Sequence, residues 1–307
     1  MKLLQGKLQT QATNRTIEFN NKISTTNQQI ANSFNKQYTG ICPKRTDKER
    51  RKTIRKVRNM QKEETVITEE EVQKAIKDAP AKKSSGPDDV TTLHMKQLGE
   101  RAIQLLAKLF STSINTNTIP QSWKTAKIVP MPKPNKDKNQ GKSYRPISLL
   151  SNIAKTMERI ILKRIEPHLP QKDYQHGYKK KHSTTTALQH ITNKIASGFN
   201  KSRPPKRTII IAIDMSRAFD VMDHHLLIKK MINLTSMPPF YIKYLTNYIQ
   251  GRKAFTVFNG TRSSQSTFHG GSPKGGCYHP PSSIFLWQTC PNQTAPRDSN
   301  LTSTPTM

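Results

Sequence analysis

The chain has 307 residues, with 51 Lys+Arg against 20 Asp+Glu, a formal net charge of +31. A length of this order holds one large domain or two modest ones, and 33% hydrophobic residues leave a thin core. The scattered Cys42, Cys277 and Cys290 exclude a disulfide framework, the start MKLLQGKLQTQATNR has no apolar leader region, and no run approaches a membrane span, so an intracellular chain, nuclear or cytoplasmic and in a reducing compartment, is expected.

Residues 1–40 are polar and rich in Asn, Gln and Thr, with one short helix candidate in IANSFNKQY. Residues 44–58 hold nine Lys or Arg. They read equally well as a solvated linker helix or as a contact with phosphates. Together residues 1–65 are expected to form a polar and basic linker or extension.

VITEEEVQKAIKDA predicts a helix with its own start signal. Thr68 is placed to cap it, Glu71 to complete a capping box, and Ile67 and Val72 to form the hydrophobic staple. Glu69, Glu70 and Glu71 face the positive end of the helix dipole. Gly86-Pro87, in KKSSGPDD, stops it. A second helix is predicted from about Leu98 to Phe110, with Leu98, Ala102, Leu105, Leu106 and Leu109 as its apolar face. TAKIVPMP reads as a short strand broken by Pro130 and Pro132, followed by the basic loop KPNKDKNQGKS and by SYRPISLL. A third helix spans Ile153 to Ile165, with Ile153, Met157, Ile160, Ile161 and Ile165 in its stripe and Pro167 at its end.

DYQHGYKKKHSTTTAL predicts a basic turn and a helix capped from Ser183 or Thr184. TIIIAI, 208–213, reads as a strand covered on both faces. It ends on Asp214, and an acid at the end of a buried strand is costly unless something, usually a metal ion, binds it. FYIKYLTNYIQGRK predicts a helix ending at Gly251, and FTVF with the following Asn-Gly predicts a strand and hairpin turn. A few short strands among many helices define an α+β fold. The positive charge points to nucleic acid, because each Lys or Arg that neutralises a phosphate releases a condensed counterion.

The series WKTAKIVPMPKPNKDKNQGKSYRPISLLSNIAKTMERII, QHGYKKKHSTTTAL and AIDMSRAFDVMDHHLL, preceded by KKSSGPDDVTTLHMKQLG, resembles the reverse transcriptase of LINE-type, non-LTR retrotransposons of the jockey-like kind. The resemblance covers about residues 66–269 and implies the fingers and part of the palm of a right-hand polymerase. It implies RNA-directed DNA synthesis from an RNA template, a DNA primer and deoxynucleoside triphosphates, through two Mg²⁺ ions. Carried over residue by residue, it makes Asp214 the first metal-binding aspartate, with the Met215 carbonyl beside it. Phe219 becomes the aromatic gate against the sugar. Arg145 becomes the triphosphate clamp, a role suited to a guanidinium's paired donors, with Lys133 assisting. Lys179, Lys180 and Lys181, with His182, are placed on the template backbone. Asp220, Asp223, His224 and His225 read as structural, against the alternative of a hydrolase centre built with Asp214.

The resemblance breaks at GGSPKGGCYHP, 270–280, where the family has a loop close to GVPQGGVLSP, and no adjacent-aspartate pair follows position 89. Lys274 stands in the place of the loop glutamine. Codons for Gly270–Pro280, read from the third base of the first, can encode Gly-Val-Pro-Gln-Gly-Gly-Val-Leu-Ser-Pro. The same shift can give Leu-Phe-Asn from 281–284, Met-Ala-Asp-Met-Pro from 287–291, and Ala-Asp-Asp from the last four residues. Residues 270–307 are therefore expected to be a disordered, wrong-frame tail, and the chain to be inactive without an Asp-Asp pair or thumb. The alternative is a non-catalytic, basic nucleic-acid-binding fragment. His269, Cys277, His279 and Cys290 fit no usual zinc spacing.

Overall fold

A computed structural model describes residues 16–42, 48–61, 63–81, 84–170, 176–177, 181–200, 207–212, 220 and 222–271. Asp214, Met215, Phe219, Lys179, Lys180 and the tail from 272 lie outside the described residues. The described part is helix-rich with small sheets, in keeping with α+β.

Two strands, β1 (Ile17–Phe19) and β2 (Lys22–Ser24), pair antiparallel. Asn20 and Asn21 between them both have positive φ, 47° and 63°. That is a two-residue turn which asparagine tolerates well. Helix α1 (Asn27–Thr39) follows, started by a Thr26–Gln29 capping box.

The main sheet is built from β3 (Thr125–Pro132), β4 (Tyr144–Leu149), β5 (Lys253–Phe258), β6 (Thr261–Arg262) and β7 (Ser266–Thr267). β3 pairs antiparallel with β4 and parallel with β5, and β6 and β7 both pair with β5. Pro130 does not break β3. It sits opposite Pro146, beyond Ile128, where the pairing with β5 ends. No neighbouring strand needs an N–H there. The Asn259-Gly260 turn after β5 has positive φ at both residues, 46° and 78°.

Helix α1 lies against this sheet. Ile17, Ile30, Phe34 and Tyr38 join Ala126, Ile128, Tyr144, Leu150, Ala254 and Phe258 in one core. Phe34 is at its centre, with the rings of Phe19, Tyr144 and Phe258 around it at 4.7, 4.9 and 5.7 Å. The linker expected over 1–65 therefore does not describe 17–39, which is part of a core. Its polar composition concealed a narrow apolar stripe at 30, 31, 34 and 38, with helical spacing.

A second core is made by α2 (Lys48–Arg58), α3 (Glu69–Lys77), α4 (Thr92–Lys96), α5 (Glu100–Asn115), α6 (Asn152–Ile165), α8 (His224–Leu234) and α9 (Pro239–Ile249). The Thr68 cap, the Glu71 capping box and the buried Ile67–Val72 staple are all present. Helix α5 is turned from its predicted face. Leu105 and Leu109 are exposed, at 67% and 44%, while Ile103, Ala107, Phe110 and Ile114 are buried. The series 103–107–110–114 is as helical as the leucine series, and it alone puts Phe110 against Trp123, 5.7 Å between ring centroids.

Helix α3 stops at Lys77 with Asp78 as its C-cap, so it is not ended at Gly86. A Cβ there would stand 2.4 Å from the Leu150 carbonyl carbon and the Ser151 nitrogen, so the 84–87 segment can approach β4 and α6 only as glycine. Helix α7 (Thr184–Phe199) starts at Ser183, as predicted, and buries none of its residues.

The strand predicted over 208–213 is absent from residues 208–212, where Ile209, Ile210 and Ile211 are 85%, 65% and 78% exposed. A strand needs a paired neighbour for its N–H and C=O groups, and none of β1–β7 pairs with this segment.

Candidate functional site

The antiparallel register of β3 and β4 decides where Arg145 and Lys133 stand. Arg145 is opposite Met131, and the Lys133 N–H donates to the Ser143 carbonyl at 2.8 Å, extending the ladder by one residue. Side chains alternate along a strand. Lys127, Val129, Met131 and Lys133 therefore share the face of Arg145 and Ile147. That face is open, since Arg145 is exposed and Ile147 is 38% exposed. The opposite face carries Ile128, Tyr144, Ser148 and Leu150, all buried. The structure thus brings Arg145 and Lys133 together on one solvent-facing surface. The Lys133 ammonium donates to the Lys142 carbonyl at 2.8 Å.

The tip of this hairpin is braced from the N-terminus. The Glu18 N–H donates to the Asn139 carbonyl at 2.7 Å, and the Gln140 amide donates to the Glu18 carboxylate at 2.6 Å. Gly141 lies against the Phe19 ring, where a Cβ would meet ring carbons at 2.4 Å. The Tyr144 hydroxyl donates to the Lys138 carbonyl at 2.8 Å. The basic loop is therefore tied down at both ends. Sequence reading missed this brace, although Asn20-Asn21 between two short β-forming runs is a turn signal.

Of the other predicted residues, Lys181 is exposed with φ +62°, in the turn ahead of α7. His182 lies beside His176, ring centroids 5.1 Å apart and ring planes tilted by 60°. Asp223 is the N-cap of α8, accepting from the His225 and Leu226 amides at 2.8 and 3.4 Å. Buried His224 donates from Nε2 to the Gly271 carbonyl at 2.7 Å. Burial holds its imidazole below the usual histidine range, against the opposing effect of that hydrogen bond. Among the described residues no group of three His, Cys, Asp or Glu is placed to hold a metal ion.

A buried polar unit joins α6 to α9. The Tyr248 hydroxyl donates to the Glu158 carboxylate, and both residues are buried. The Arg252 guanidinium lies 4.5 Å from the Tyr248 ring centroid. Burial lowers the Arg252 pKa to about 10, with Glu158 acting in the other direction, so the guanidinium keeps its charge at neutral pH. Its Nε and Nη2 have no hydrogen-bond partner among the described residues. Glu158 was invisible in the sequence because it falls within the apolar stripe of α6 as a single acid.

Comparison with known proteins gives the context for this surface. The model of the family "Reverse transcriptase (RNA-dependent DNA polymerase)" matches residues 131–294, more than half of the chain. The chain is 33% identical over 218 residues to "Probable RNA-directed DNA polymerase from transposon BS" of Drosophila melanogaster, covering 70% of this chain and 24% of that one. It is 29% identical over 223 residues to "RNA-directed DNA polymerase from mobile element jockey" of the same fly, at 70% and 24% coverage, and 28% identical over 233 residues to the jockey protein of Drosophila funebris, at 75% and 25%. The chain belongs to the reverse transcriptase family, in its LINE-type, jockey-like branch. It spans about a quarter of the length of these relatives. Among the described residues no helix is long and apolar enough to cross a membrane.

Proposed function

We propose that this chain is the fingers and first palm segment of an RNA-directed DNA polymerase from a non-LTR retrotransposon, an incomplete right hand. The observation that carries the proposal is the pairing of Arg145 and Lys133 on the open face of the β3–β4 hairpin, within the span of the family match. On that face, two forked N–H groups of Arg145 suit triphosphate oxygens, and Lys133 adds a point charge. The partners would be an RNA template, a DNA primer and deoxynucleoside triphosphates. Lys181, together with Lys179 and Lys180, would lie along the template phosphates. Asp214 and the Met215 carbonyl are hard oxygen donors of the kind Mg²⁺ takes, and Phe219 would stand against the sugar.

Photo-crosslinking of a deoxynucleoside triphosphate to the chain, in the presence of primer–template, tests this. Arg145→Ala is expected to lower labelling about 10-fold or more, the loss of a charge-assisted bidentate contact, without loss of fold, because Arg145 is exposed. Labelling unchanged by Arg145→Ala and by Lys133→Ala would refute it. The net charge of +31 favours a second reading, a non-catalytic nucleic-acid-binding fragment. That reading expects salt-sensitive RNA or DNA binding, no specific nucleotide labelling, and no effect of either substitution.

A further inference from the structure

We infer that the reading frame of this chain changes at Gly270, and that the segment which would cover the exposed Ile209–Ile211 run and supply the remaining metal carboxylates is encoded in the other frame of the same nucleotides. The inference rests on the polymerase reading above, and two kinds of observation converge on it.

The first is in the codons. The frame of this chain keeps Gly271, Pro273, Gly275, Gly276 and Pro280 at the loop's own glycine and proline positions. A divergent loop in the correct frame would explain these five alone. A shift explains all ten positions. GGN and CCN codons can survive it, since GGG and CCC leave Gly and Pro in both frames, whereas Val, Gln and Ser codons, and the TTA or CTA Leu codon needed here, cannot. GTC, CAA, GTG, TTA and TCA then become the Ser272, Lys274, Cys277, Tyr278 and His279 that are present. The same property lets the family match run on past Gly270 to residue 294. The register also holds to the end. With a T in the third base of Ser303, the codons of Ser303–Met307 read TAC GCC GAC GAT, or Tyr-Ala-Asp-Asp. The tail thus yields the glycine loop, Met-Ala-Asp-Met-Pro and Tyr-Ala-Asp-Asp without a second shift.

The second is in the fold. Up to Gly271 the chain is held in place: the Phe268 N–H donates to the Arg252 carbonyl at 2.9 Å, the Gly271 N–H to Met222 at 2.8 Å, and His224 to the Gly271 carbonyl. Two surfaces that precede the sequence change have no complement among the described residues. Ile209, Ile210 and Ile211, the run that leads to Asp214, are exposed at 65% or more. Arg252, whose carbonyl receives the Phe268 hydrogen bond, is buried with two donors that find no partner among the described residues. An apolar run with no paired strand among the described residues calls for a strand of alternating apolar residues beside it.

Sequencing the genomic DNA and the transcript across codons 265–307 tests this independently of any polymerase activity. The expected result is that the third-base frame is open throughout and encodes GVPQGGVLSP and Tyr-Ala-Asp-Asp; a stop codon within it, or codons that do not yield these residues, overturns the inference. A frame-corrected chain provides a second readout. Hydrogen exchange of amides 208–212 is expected to slow by about 100-fold relative to the present chain, as these amides gain strand partners. Equal exchange in two folded chains would contradict the assignment of the occupant. A correct nucleotide sequence with no nucleotide labelling would instead count against the polymerase reading alone.

Discussion

Glu18 and Gln140 are 122 positions apart in sequence and joined by a 2.6 Å hydrogen bond that closes the N-terminal hairpin onto the basic loop between β3 and β4. The Glu18 N–H makes a second bond, to Asn139, and Phe19 packs against Gly141. The N-terminal segment is thus a support of the surface that carries Arg145 and Lys133. Deleting residues 16–24 is expected to leave the helical core folded, to raise amide exchange over 133–143 at least 10-fold, and to weaken nucleotide labelling. Unchanged exchange across that loop would show that the brace is dispensable.

Phe34 tests the depth of the same support. Its side chain is fully buried among Phe19, Tyr144 and Phe258. Phe34→Ala is expected to destabilise the chain by about 3–5 kcal/mol, the usual range for removing a buried ring. The urea midpoint reports this, and a loss below about 1 kcal/mol would mean that α1 is only loosely attached.

Arg164 and Glu71 make a two-pronged contact, Nε to Oε1 at 2.8 Å and Nη2 to Oε2 at 2.5 Å, and Arg164 also donates to Thr65 and Val66. Partial burial opposes ionisation of Glu71. The hydrogen bonds and charge of Arg164, helped by the Thr68 amide, outweigh it and hold the carboxyl below its ordinary range. A carboxyl with a lowered folded pKa stabilises the fold above its unfolded pKa, and that stability disappears as pH falls through the folded value. Stability is therefore expected to fall below about pH 4.5, and less so in Glu71→Gln. With both side chains partly exposed, the coupling in a double-mutant cycle should be only about 1 kcal/mol. Parallel acid-denaturation curves for the two proteins would remove Glu71 as a contributor.

Gly86→Ala is expected to be disruptive although the site looks like a loop. The added methyl would lie 2.4 Å from Leu150 and Ser151 backbone atoms, and backbone cannot move aside as a flexible side chain can. A loss of about 1–3 kcal/mol follows from overpacking of this kind, read by thermal or urea unfolding. A neutral effect would mean that the 84–87 segment shifts freely.

The helix starts were legible because they are local. Thr68 with Glu71, Ser183, and the stop at Gly251 each declare themselves within four residues. The start of the strand at Thr125 and the Asn259-Gly260 turn were legible for the same reason, although Pro130 and Pro132 were read as breaking a strand that runs on through them. What was not legible depends on distant partners. Glu158 is an acid on a buried stripe, explained by Tyr248 on another helix. The buried face of α5 was decided by Trp123 rather than by the leucine count. The α1 stripe was diluted by its Asn and Gln neighbours. TIIIAI had the composition of a covered strand, but composition does not provide the strand beside it. Arg145 and Lys133 were chosen separately by resemblance, and only the β3–β4 register places them on one face.

Primer extension on an RNA template with Mg²⁺, at protein concentrations where primer–template binding is saturated, tests the central claim most directly. The chain has Lys274 where the family loop has glutamine, and on the inferred frame change its Asp-Asp codons would lie out of frame, so binding without extended product is expected. Robust product abolished by Asp214→Ala would contradict the account.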